Sequence, residues 1–578
     1  MSEGLTTVGF SAFYGCNNIE KVIVSNIRKW CNIDWEFWSN PLSFSGHIYC
    51  DSNTEIIDLV IPEGVTKIGK YAFDGCKSLS SITFPESLLE IGFESFQGCS
   101  DLTSLNIPNN VTFIGASAFA GCSCINSLTT HSQLQKIDNN AFSSCSSLKT
   151  VTIDSKFGYH PENSKEGYYT FDPSYKEVFG EQVENYIIGE HLTEISSNSF
   201  NNCINLKAIT IPHNIESIGY GAFSGCQNLA VVNIDCDKIG QIFYNLPSLE
   251  TINIGNNVKS IEEKAFYKCN GITSLVIPDN VTTIGASAFE GNEFLSNITL
   301  SNNLTTLENR LFYGCSSLKE INIPTKVGTI GNEVFYGCKK LRTLNIPNSV
   351  ITIGASAFEG NDLLASITLS DNLTTLENRL FYGCSNLKEI NMPTKLNTIG
   401  NEVFGECKLL HTLNIPSSLR NIGKDAFSGC ESLSKVIVPD IASWCGIKFV
   451  TDYNWGDQTC SNPLSIAHHL YSDENTEITD LVIPEGVESI NESVFFGASS
   501  MKSVSIPSSM KSIGETAFYE CTGLNKVIVP DIAAWCGIGF GDNPLKYAHH
   551  LYSDTNTEIA DLAIPYGVKK INYGSSQE

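Results

Sequence analysis

Residues 318–340 read LKEINIPTKVGTIGNEVFYGCKK, and this one unit decides the fold. Leu318, Ile321 and Ile323 alternate with polar residues, as a strand with one buried face requires. Pro324 follows directly and stops the strand, because it cannot donate to a ladder. A Val-x-x-Ile-Gly step (Val327, Ile330, Gly331) provides a turn. An aromatic anchor, Phe335, then plugs the interior, and a Gly-Cys pair closes the unit. No such unit buries its own apolar residues; stacked neighbours do, with strands in parallel register about 4.8 Å apart.

Working outward, the anchor recurs from Phe13 to Phe518, and most steps equal the one from Phe312 to Phe335. One step is shorter, from Phe223 to Phe243. Three are long: Phe13 to Phe73, Phe142 to Phe200 and Phe427 to Phe495. IGASAFEGN at 284–292 returns at 353–361, and LENRLFYGCS at 307–316 returns at 376–385, both after three whole units. A repeat array grows by stacking, so residues 1–578 read as one continuous solenoid and not as several domains.

The chain resembles the BspA-like (Treponema-type) leucine-rich repeats in LKEINIPTKVGTIGNEVFYGC and its copies. The resemblance implies a predominantly β, right-handed leucine-rich-repeat solenoid of about 23-residue coils. It further implies one parallel sheet, with short turns or 3-10 and helical pieces on the other side. It implies a non-enzymatic scaffold that binds proteins, at the cell surface or secreted, in adhesion to host or cell-surface proteins.

Composition bounds the alternatives. With 62 acidic against 36 basic residues, a net charge of −26, the chain lacks the basic patches that nucleic-acid binding needs. No apolar run approaches the roughly 20 residues of a membrane span. The opening MSEGLTTVGFSAF has no basic and apolar leader, and the array starts and stops mid-repeat, as a fragment of a longer protein would. The missing leader and the many thiols favour the alternative of an intracellular interaction scaffold in the cytoplasm.

Of the 21 cysteines, fourteen sit three places after an anchor Phe. Stacked Cβ vectors run parallel, which disfavours a disulfide ladder. Asn292, Asn361 and Ala498 take the same slot, which predicts a small buried site bonding to the turn. The residues show no His-Glu-x-x-His, Gly-x-Ser-x-Gly or Gly-Lys-Ser/Thr motif, so no catalytic, cofactor or metal residue is expected. The adjacent histidines His468-His469 and His549-His550 would point to opposite faces of a strand.

Departures from the template locate function. Three insertions resemble one another (22–60, 439–480 and 530–561) and hold all six tryptophans. Each follows an outward Ile (Ile23, Ile437, Ile528) where other coils carry Thr, Asn or Ser, so each is expected to fold back and cover it with its Trp. A fourth insertion, 155–184, is rich in Tyr and Phe, and loops this long are functional or disordered. The expected binding residues are Tyr159, Tyr168, Tyr169, Phe171 and Tyr175 here, with Trp38 and Trp455 in the Trp-bearing insertions.

Overall fold

The computed structural model describes residues 4–157, 174–454, 457–566, 568 and 571. The chain forms two compact units, 1–280 and 281–578, each a parallel β-solenoid built from copies of the repeat.

A coil contributes two short strands to two separate ladders. In the first unit Ser127–Thr129, Thr150–Ile153, Asn185–Ile188, Ala208–Ile211, Val231–Ile234 and Thr251–Ile254 form one six-stranded parallel sheet. Lys67–Ile68, Glu90–Ile91, Phe113–Ile114 and Lys136–Ile137 form the other ladder. The second unit repeats the arrangement, with Thr412 opposite Lys435 and Leu413 opposite Val436 in one ladder, and Thr398 opposite Asn421 in the other. The apolar residue of each step points inward and is buried, because it alternates with the polar one.

The anchor phenylalanines stack along the interior. Phe335 lies 5.6 Å from both Phe312 and Phe358, ring on ring. The backbone stacks with them: the Phe312 amide donates to the Val334 carbonyl, and the Phe335 amide to that of Ala357. The turn carries a left-handed residue two places before the anchor, and that residue is rarely glycine: Tyr71, Glu94, Ser117, Arg310, Glu333 and Arg379 all have φ of 49–58°. A second left-handed position, two places after the anchor, is mostly glycine, as at Gly98, where a Cβ would lie 3.8 Å from the Gly75 Cα.

The cysteine column behaves as the sequence predicts. Cys99 donates to the Phe73 carbonyl at 3.4 Å, Cys122 to Phe96 at 3.3 Å and Cys407 to Phe381 at 3.2 Å, in each case to the anchor of the preceding coil. Asn292 donates its amide to Phe289 in the same slot, whereas the Asn361 amide finds no partner among the described residues. Burial pushes the thiols up, Cys76 and Cys145 to about 12.

Helices occur only where the template breaks: α1 (Ile27–Cys31), α2 (Leu42–Ser45), α3 (Tyr175–Phe179), α4 (Ile441–Cys445), α5 (Leu464–Ala467), α6 (Ile532–Gly537) and α7 (Leu545–Ala548), among the described residues. Asn26, Asp440 and Asp531 cap α1, α4 and α6 through their side chains. Each Trp-bearing insertion proves to be one enlarged coil. After Lys435–Ile437 the chain makes α4, returns to the second ladder as Lys448–Phe449, makes α5 in place of the anchor turn, and rejoins the first ladder as Leu470–Tyr471.

This arrangement corrects the expected role of the tryptophans. Trp30, Trp444 and Trp535 point into the interior and do not cover the outward Ile. In an ordinary coil the carbonyl before the anchor accepts the amide of the preceding anchor, as Ser95 accepts from Phe73. Ala72 follows an insertion instead of an ordinary anchor. Its carbonyl accepts from Trp30 Nε1 (2.5 Å) and Asn40 Nδ2 (2.9 Å). Val494 accepts likewise from Trp444 Nε1 (3.0 Å) and Asn462 Nδ2 (2.8 Å). The indole and the buried amide thus supply the donors that the inserted turn lacks, and a buried acceptor left empty is costly.

Two of the outward isoleucines are covered by the insertion itself, through the tyrosine of its returning strand. Ile437 (4% exposed) sits between Asn414 and Tyr471, and Ile528 (8%) between Ser505 and Tyr552. Ile23 pairs with Tyr49 on one side and remains 44% exposed.

Replacing Ile437 with Thr should lower unfolding free energy in urea by about 1–3 kcal/mol, against almost nothing for Ile23→Thr. Under native conditions iodoacetamide should label Cys16, Cys50 and Cys124 quickly among the described cysteines, and the buried column only after unfolding.

Candidate functional site

Of the expected binding residues, Tyr159, Tyr168, Tyr169, Phe171 and Trp455 lie outside the described residues. Tyr175 is corrected. It opens α3, its amide donates to Ser199, and its buried ring packs against Phe157 at 5.7 Å and edge-on to Phe200 at 4.9 Å. Phe179, at the other end of α3, lies 5.7 Å from Phe142 and acts as an anchor that the repeat register missed. The signal was present, since Val178-Phe179-Gly180 is a compressed form of Val334-Phe335-x-Gly337. Returning from this turn, Asn185–Ile188 pairs in register with Thr150–Ile153, so the ladder closes across the insertion. A shallow pocket of about 180 Å³ lies beside it, lined by Tyr186, Ile187, Thr210 and Pro212.

Trp38 is different. It takes the left-handed position of the first inserted coil (φ 55°), where the side chain leaves the turn outward, and it is 45% exposed. Its ring stacks on Tyr14 at 4.6 Å and on Phe37 at 5.0 Å. Phe37 reaches Phe10 at 6.1 Å and Tyr71 at 6.2 Å, and Tyr71 meets Phe93 edge-on at 5.4 Å. Six rings from successive coils therefore make one continuous surface, four of them exposed. Repeat spacing alone did not reveal it, because these rings either stand far from Trp38 along the chain or share its insertion.

Two carboxylates border the rings. Burial pushes Asp74 up to about 6, opposed by the Ser43 hydroxyl that donates to it. Burial, then the charge of Asp74, pushes Glu94 up to about 7. Tyr71, between them, is raised to about 12 by burial and by both acids.

The histidines of the three insertions are accounted for locally. His468 and His549 hold the left-handed cap of α5 and α7, where α2 has Gly46. His47, His469 and His550 bond through Nδ1 to Glu55, Glu477 and Glu558 at 2.6–2.7 Å. Asp51, Asp473 and Asp554 accept two backbone amides each in the neighbouring turn. Lys21, Lys435 and Lys526 lie over Tyr49, Tyr471 and Tyr552 at 4.5–5.2 Å. These clusters pin the hairpin at which one stretch of the first ladder ends, as the Tyr471–Glu477 bridge shows. Among the described residues no group of three His, Cys, Asp or Glu stands close enough to hold a metal, and no helix is long and apolar enough to cross a membrane.

Comparison with known proteins places the repeat. The profile of the BspA type leucine rich repeat region matches residues 47–166, 176–242, 237–363, 328–445 and 465–537. No curated protein matches significantly. Among solved structures, a leucine-rich repeat protein from Bacteroides ovatus is 26% identical over 58% of this chain and 82% of its own, with a TM-score of 0.42. The Leucine Rich Repeat protein of T. pallidum is 32% identical over 30% of this chain and 78% of its own, with a TM-score of 0.25. A leucine rich cell surface protein from Faecalibacterium prausnitzii is 23% identical over 70% of this chain and 95% of its own, with a TM-score of 0.30.

Glu94 provides a test of the site's electrostatics. Its folded pKa lies above the ordinary 4.5, so folding favours the protonated form. Nothing is lost below about pH 4.5, and the penalty grows as pH rises to about 7. Glu94→Gln should therefore raise the melting temperature at pH 8 and leave it nearly unchanged at pH 4.

Proposed function

We propose, from the premise that this chain belongs to the BspA-type leucine-rich-repeat family, that it is an adhesion protein of the cell surface, or secreted, that grips other proteins through the rings around Trp38. The family is a protein-interaction scaffold of non-enzymatic fold. The observation that carries the finer reading is the run of exposed, mutually stacked aromatics around Trp38. Trp and Tyr are favoured anchors at interfaces, and a contiguous exposed apolar patch on a soluble scaffold marks a contact surface. Repetition of weaker contacts along the coils adds avidity.

The thiols do not count against an extracellular setting. Buried thiols whose pKa is pushed up to about 12 are scarcely ionised, and the thiolate is the species that oxidises.

Two experiments test this. Antibody labelling of intact source cells should detect the chain; signal only after permeabilisation would favour an internal interaction scaffold. Beads coated with the full chain should bind cell monolayers, and Trp38→Ala with Phe37→Ser should reduce the bound fraction about tenfold without changing the circular dichroism spectrum. Equal binding by the variant would remove the rings as the contact site.

A further inference from the structure

The second unit shows how the turn around an anchor holds a guanidinium. Glu290 stands one place after the anchor Phe289, and Arg310 two places before the next anchor, Phe312. Glu290 takes Arg310 Nη2 at 2.7 Å and Nε at 3.0 Å, Glu333 takes Nη1 at 2.5 Å, and the guanidinium carbon lies 3.8 Å from the Tyr313 ring centre. The arrangement recurs three coils later. Arg379 is held by Glu359 through Nη2 (2.6 Å) and Nε (3.0 Å), pairs with Glu402, and lies 3.8 Å over Tyr382.

Asp74 and Glu94 occupy the same two register positions. Asp74 is one place after Phe73, and Glu94 is two places before Phe96. Glu94 has the same left-handed backbone (φ 49°) as Arg310 (58°) and Arg379 (55°), so its side chain leaves the turn along the same course. Here an acid stands where the coils of Phe312 and Phe381 put the arginine. Among the described residues no lysine or arginine pairs with either carboxylate; Asp74 takes the Ser43 hydroxyl. Tyr71, Phe93 and Phe37 supply adjoining aromatic surface.

We propose that the Asp74–Glu94 position, together with the adjoining rings of Tyr71, Phe37 and Trp38, is a docking site for an arginine-bearing segment of a partner protein. The inference rests on the protein-binding reading above and names the partner's chemistry. A guanidinium is the cation that fits, because it offers a planar face to the rings and a fork of donors to two carboxylates on successive coils. The chain satisfies the same register with arginine twice. A second copy of the chain is a poor occupant, since each carries a net charge of −26, whereas a basic segment is drawn to that field.

The test uses the full chain and a blocked peptide carrying two arginines among leucines and serines, with a citrulline counterpart of equal shape and no charge. Binding is followed by tryptophan fluorescence, to which exposed Trp38 contributes. The arginine peptide should bind about tenfold more tightly than the citrulline peptide, and Asp74→Asn with Glu94→Gln should abolish that preference. Glu94→Arg should place a guanidinium beside Asp74 from within, raising the melting temperature and eliminating peptide binding. Equal affinity for the two peptides would overturn the proposal. So would unchanged peptide binding by Glu94→Arg, whose folding the melt reports. If Trp38→Ala loses cell binding while the Asp74→Asn, Glu94→Gln variant keeps it, the aromatic contact stands and the arginine site falls. If neither variant loses cell binding, the aromatic contact site itself falls.

Discussion

Everything in this protein depends on one coil closing against the next. A coil on its own leaves its anchor phenylalanine half-covered and its turn amides without acceptors. Stacking the next coil in parallel register resolves both at once: Phe335 meets the Phe358 ring, and its amide meets the Ala357 carbonyl. Because the apolar contact and the hydrogen bond come from the same residue, neither can slip without the other. The thiol three places on adds a further tie to the preceding anchor, as Cys407 does to Phe381.

That coupling explains what an insertion must contain. A break in the column leaves a buried carbonyl without its donor, and the chain answers with side chains. Trp30 and Asn40 serve Ala72, and Trp444 and Asn462 serve Val494. Trp30 and Trp444 thus serve to close the interior. Trp38 lies outside that need, which is why its exposure is informative.

The core leaves little freedom, and the ridge leaves a great deal. Two places before most anchors the backbone is left-handed and the side chain projects outward, so Tyr71, Glu94, Arg310 and Arg379 occupy equivalent positions with unlike chemistry. Pairs formed there link successive coils, as Arg310 links Glu290 and Glu333. Where like charges meet, as at Asp74 and Glu94, the ridge carries a charge imbalance that the solenoid itself does not relieve.

The sequence by itself determined the coil, its period, its alternation of inward and outward residues and the burial of the cysteine column. Those follow from a pattern that returns with every coil and depends only on the identical neighbour. It also located the departures, but not their roles. Phe179 was hidden because α3 compresses the anchor motif, and Tyr175 read as a surface aromatic although Phe200 and Phe157 enclose it. Ile437 is covered and Ile23 is not, although both stand in the same motif. Only the tertiary structure decided these, because exposure at a break is set by whichever residue the adjacent coil brings alongside, and an insertion changes which residue that is.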